Sequence, residues 1–273
     1  MSATQILPFI STAIMFVFTL YVLQRYTVRR APHFLFWGIG LAMFGIGSFT
    51  EAFLALNWNK WVFFNWYLFG AALNAGWIGH GTLYLLVHRK WVHVVTGVLV
   101  VASLFAGYLM VQVMPHLDES AFSTSRPVSE QYGTKVLPTG QSAPAGTQTA
   151  VQTYRGEQVT VIRGLLPLGA SVRLTTPFFN IYGLLTLVGG ALYSAFLFWR
   201  KRVLPNRVIG NVLIAAGALS IGFASTLTRL GHGQFLYLGE LLAAVLMFSG
   251  FLTAGRPVPA EEPATQQVQA NAS

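Results

Sequence analysis

Two carboxylates stand out by position. Glu51 and Glu240 lie inside the apolar runs GSFTEAFLAL and FLYLGELLAAV, whereas the other acidic residues fall in polar segments. An ionisable side chain at bilayer depth is costly, and as a rule it faces a bundle interior or a cavity. Each carboxylate is six residues from the same end of its run, about 9 Å below one common boundary at 1.5 Å per residue. Arg229, at the end of the preceding run, is the nearest cationic partner. Two readings stay open. Glu51, Glu240 and Arg229 form the centre of a pocket for a ligand or proton, with Tyr67, Asn74 and Asn180 around it. Alternatively, they clamp three helices together.

His80, in IGHGTLYLL, is the one histidine well inside an apolar run. Its imidazole could serve as an axial ligand to haem or chlorophyll, or as a hydrogen-bonded packing group. A second histidine at matching depth is missing, since His33, His88 and His93 fall at the far edge. GIGLAMFGIG has the glycines of a nucleotide loop but lies mid-run, without the strand and helix opening that loop needs. No HExxH or GxSxG occurs, so no metal site is expected. The chain has no cysteine, which excludes disulfides, thiolate metal sites and cysteine nucleophiles. An enzymatic role stays open only through Glu51 or Glu240 as a base.

These residues need helices to hold them. The 273-residue chain is 54% hydrophobic and 9% charged, with a mean hydropathy of +0.57; soluble domains carry about 25% charged residues. Seven runs are long enough for a hydrocarbon core: 6–24, 34–57, 61–87, 92–114, 177–199, 208–228 and 234–253. Lipid offers backbone groups no partner, so each run must be helical. The first run lacks a cleavage signature and is expected to stay as a helix. The expected fold is all-α and polytopic, with transmembrane helices in 1–114 and 176–253.

Charge placement sets the expected orientation. The links after helices 1, 3 and 5 hold Arg25, Arg29, Arg30, Arg89, Lys90, Arg200, Lys201, Arg202 and Arg207, against only Lys60 and Arg229 in the opposite short links. By the positive-inside rule the N-terminus is outside and the C-terminus cytoplasmic. The net charge of +9 is split among these links rather than gathered on one face, so lipid is the expected partner and nucleic acid is not.

Residues 115–175 form a polar external segment. TAVQTYRGEQVTVIRG is expected to be a β-hairpin turning near Arg155–Gly156–Glu157, with SVRLTT as a further strand and the first half, through PTGQSAPAG, flexible. Residues 254–273 are expected to be a disordered cytoplasmic tail. YVLQRYTVRRAPHFLFWGIG and YSAFLFWRKRVLPNRVIG share an order of Tyr, basic cluster, Pro and Gly, as do NWYLFG and FLYLGE in their own residues. A 3+1+3 plan of two parallel repeats would explain both.

The seven-helix, N-out plan resembles that of microbial rhodopsins, but Lys60, Lys90, Lys135 and Lys201 all lie in loops, so no retinal Schiff base is expected. FWGIGLAMFGIGSFTEAFLAL and NWYLFGAALNAGWIGHGTLYLL resemble the seven-helix sensor region found N-terminal to some bacterial histidine kinases, and stand-alone bacterial seven-helix proteins. The resemblance covers residues 5–253 by hydropathy and implies a non-enzymatic sensor in the bacterial inner membrane. Only a short tail follows the last run, so signalling would pass through a protein partner. A small-solute transporter on the repeat is the first alternative, and an accessory subunit of a pigment- or haem-bearing complex the second.

Overall fold

The computed structural model describes residues 3–229 and 233–256, the side chains of residues 3–5, 229 and 234 excepted. Helix α1 spans Ala3–Arg29, α2 Pro32–Leu54 and α4 Trp91–Val113. Helix α3 covers 60–86 and passes from α (Lys60–Asn65) through a π-helical stretch (Trp66–Leu73) back to α (Asn74–Leu86). Helix α5 covers 175–200, with a π-helical stretch at Leu184–Val188. Helices α6 (Pro205–Arg229) and α7 (Gln234–Ala254) complete the bundle. Six of these are long and apolar enough to cross a membrane: α1, α2, α4, α5, α6 and α7.

Sequence sets the helix ends. Helix α2 stops at Leu54, short of the expected residue 57. Asn59 has to be extended (φ −152°, ψ 125°) for its side chain to accept from the backbone N–H of Trp61 and Val62, which starts α3. The residues before that cap therefore leave the helix.

The helices form a ring in the order α1, α2, α3, α5, α6, α7 and back to α1. Helix α4 lies outside it, against α3 and the turn leading into α5. Val92, Leu99, Ala106 and Met110 make one narrow buried stripe on α4, whereas Val101 and Leu104 are 67% and 70% exposed. Met15, Phe18, Val22, Leu41, Phe44, Ala243, Ala244 and Met247 form a core between α1, α2 and α7. Contact is closest where glycines meet. A Cβ on Gly47 would collide with Gly70 of α3, and one on Gly210 with the Gly250 carbonyl of α7. The small residues of α6 are only partly inside the bundle. Ala215 is buried, but Gly222 is exposed with open space beside it.

The links 30–31, 87–90 and 201–204 share one end of the ring, the basic end. Residues 114–174 cover the other, the capped end. The expected hairpin is present: β2 (Thr149–Tyr154) and β3 (Glu157–Ile162) pair antiparallel, with Tyr154 opposite Glu157. Arg155 and Gly156 take positive φ (54° and 87°), the geometry of a tight two-residue turn. The third strand is not SVRLTT, which forms a 3₁₀ turn (Ser171–Leu174) and the start of α5. It is β1, Lys135–Val136, giving the order β1–β3–β2. Within the first half, residues 123–131 are tied together around Gln131, whereas 138–146, the PTGQSAPAG stretch, are mostly exposed turns. The Gln131 side chain is 1% exposed; it accepts from Ser123 N–H and donates to the Ser123 and Arg126 carbonyls. Val128, Leu165, Leu166 and Val172 pack on Leu54, Phe63, Trp66, Tyr67 and Met110 of the bundle. The expected disordered tail, beyond residue 256, lies outside the described residues.

Candidate functional site

The two carboxylates meet. Glu51 is in the last turn of α2 and Glu240 in the second turn of α7. Their side chains lie close enough to interact, and Trp66 also lies beside Glu51. Ser48, one turn before Glu51, places its hydroxyl 3.5 Å from Glu240 Oε2. Tyr237, one turn before Glu240, lies in the electrostatic range of both carboxyls and of Glu130. Glu51 is 1% exposed, and its Oε1 has no hydrogen-bond partner. Such an atom is expensive to leave unmatched, because burial removes the water that would serve it.

The pair is covered rather than open. Trp66 and Tyr67 are 5% and 1% exposed, and the Tyr132 ring rests on both, 5.9 Å and 6.1 Å away between centroids. Arg173 stacks on Tyr132 and donates to the Thr134 carbonyl, holding this part of the cap down. The cap also reaches across the ring: Glu130 Oε1 accepts from Gly233 N–H at 2.8 Å, just before α7 begins. Glu51 is thus buried and Glu240 half-buried beneath an ordered lid.

The other expected pocket residues divide. Tyr67 sits under the lid, its hydroxyl 3.1 Å from that of Thr176. Asn74 turns its amide onto its own helix, donating to the Gly70 carbonyl freed by the π-helical stretch. Asn180 is exposed on α5 and donates to the Ala71 carbonyl of α3. Asn180 therefore joins α5 to α3, while the Asn74 amide bonds within α3. The side chain of Arg229 lies outside the described residues, and so does His232. Sequence reasoning missed Ser48, Tyr237, Glu130 and Tyr132. A signal existed for the first two, since Ser48–Glu51 and Tyr237–Glu240 are both i, i+3 pairs that share a helix face.

His80 belongs to a separate network near the basic end. Its Nδ1 is 2.6 Å from the Tyr182 hydroxyl and its Nε2 is 2.9 Å from that of Thr96. Thr96 donates to the Val92 carbonyl and also adjoins the Tyr84 hydroxyl, which in turn meets His93 Nδ1. One proton assignment satisfies every member. His80 is the Nε2–H tautomer, accepting from Tyr182 and donating to Thr96, while Tyr84 donates to Thr96 and accepts from His93. Both ring nitrogens of His80 are engaged, so an axial bond to haem or chlorophyll would have to break one of these contacts. Among the described residues, no group of three or more His, Cys, Asp or Glu side chains could hold a metal ion. No family model matches the chain, and no curated protein or solved structure matches it either.

Proposed function

We propose that the chain is a non-enzymatic, seven-span membrane protein of the sensor or receptor kind, with its N-terminus and cap outside and its C-terminus in the cytoplasm. Helix α3 is the seventh span in this reading. The nine basic residues at one end of the ring support the orientation. One observation carries the sensor role. The lid is hydrogen-bonded through Glu130 to the start of α7, the helix that delivers Glu240 to the buried pair. An event at the cap reaches a membrane helix through that bond, and α7 runs to the basic end, where a protein partner would read it.

The lack of cysteine makes single-cysteine labelling clean. A fluorophore at position 253, near the far end of α7, should change its emission in Glu130→Ala; an unchanged label in a folded protein would sink the relay. Thiol labelling at positions 57 and 204 should come from opposite sides of the membrane, and labelling of both from one side would reject the orientation.

A transporter on a 3+1+3 plan is the second reading. The ring of α1–α3 and α5–α7, with α4 outside it, favours that plan. It requires a cysteine at position 48 to become reachable from each side in turn.

A further inference from the structure

The polar layer around the carboxyl pair contains another member, on α1. Leu23 lies against Gly38 and Met15 against Gly45, so α1 and α2 run antiparallel in a fixed register. One turn further toward the capped end, Ser11 comes level with Ser48. Met15, Phe18 and Val22 share a core with Ala243, Ala244 and Met247 of α7. Ser11 precedes Met15 by one turn, and Glu240 precedes Ala244 by one turn. By this register Ser11 is level with Ser48 and with Glu240, on the face of α1 that Met15, Phe18 and Val22 turn to α2 and α7. Its side chain is 0% exposed and its hydroxyl has no hydrogen-bond partner. Two buried oxygens in one layer, Ser11 Oγ and Glu51 Oε1, are thus unmatched.

We propose that this layer is a binding site for a small hard monovalent cation, sodium, held by oxygens of Ser11, Ser48, Glu51 and Glu240. Carboxylate and hydroxyl oxygens select hard cations. In the proposed bound state the two adjoining carboxyls share one proton, one of them donating to the other. One negative charge is then left for one positive charge. The close cover of Trp66, Tyr67 and Tyr237 suits an ion rather than an organic amine. Protons compete for the same oxygens, so sodium binds more weakly as pH falls. The inference rests on the reading of the pair as a ligand site, and it supplies that sensor with a ligand class.

The test uses the full chain in detergent, with sodium chloride replacing choline chloride at constant ionic strength. Thermal unfolding and ²²Na binding are both followed. Sodium should stabilise saturably, and less so at lower pH. Ser11→Ala and Ser48→Ala, which remove only a hydroxyl, should weaken binding about tenfold each, and Glu240→Gln should abolish it. A chain that does not respond to sodium, or a response untouched by both serine variants, overturns the proposal. Neither result bears on the Glu130 relay, which is read without sodium.

Discussion

At the scale of single residues, the buried polar groups sort by whether their partners are complete. His80 is complete, and His80→Ala should strip two hydroxyls, those of Tyr182 and Thr96, of a partner and leave a void. We expect a loss of about 3 kcal/mol in thermal or denaturant unfolding. Tyr182→Phe, which removes one hydrogen bond, should cost about 1 kcal/mol. Asp118 is complete in another way: Arg163 grips both its carboxylate oxygens at 2.6–2.8 Å, and Ser120 donates to it. Burial pushes this carboxyl up, but the hydrogen bonds from Ser120 and Arg163 and the Arg163 charge outweigh it, so the group sits below its ordinary range. A carboxyl depressed in the folded state stabilises above its unfolded value, near 3.9, and loses that contribution as pH falls further. Protection factors of the β3 amides, which correct for the intrinsic pH dependence of exchange, should therefore fall below about pH 4 in the native chain, and Asp118→Asn should remove that acid step. The pair is partly solvated, so the effect is at most ~1 kcal/mol.

At the scale of elements, glycines separate helix faces that touch from those that do not. Gly47→Val should push α2 from α3 and lower the unfolding midpoint by the equivalent of ~2 kcal/mol or more. Gly222→Ala has nothing within 4 Å of the new Cβ and should be neutral or slightly stabilising in the same assay. Most helices were legible in the sequence, because an apolar run of that length has only one way to satisfy its backbone in lipid. The hairpin was legible from Arg155–Gly156 between alternating residues. The end of α2 was not, since the cap at Asn59 outweighed two more apolar residues, Ala55 and Leu56. Nor was the partner of β3, because Lys135–Val136 is too short to show a period and is set by packing against the rest of the cap. Of the site, Glu51 and Glu240 were visible as charges out of place. Which neighbours faced them was not, as Asn74 and Asn180 share the stripe but turn to backbone carbonyls instead.

At the scale of the whole molecule, α4 differs from the rest. A helix touching its neighbours along one stripe should tolerate change elsewhere. Val101→Ala with Leu104→Ala is expected to leave unfolding within about 0.5 kcal/mol of the native chain, whereas Leu99→Ala, at 3% exposed, should cost ~2 kcal/mol or more. Equal losses from the two sets would show that α4 is enclosed by more than lipid. Its bare face is also where a partner subunit could sit without disturbing the ring. Within the ring α7, which carries Glu240, packs on both α6 and α1.

Closing the ring through α1 and α7 also orders events during synthesis. Glu51 leaves the ribosome with the second helix, and Glu240 only with the last. Until then the first carboxyl sits in a membrane without its companion, in a half-built barrel whose α1 seam is still open. A chain stopped before α7 thus carries one acid at bilayer depth without the second carboxyl that adjoins it in the complete bundle.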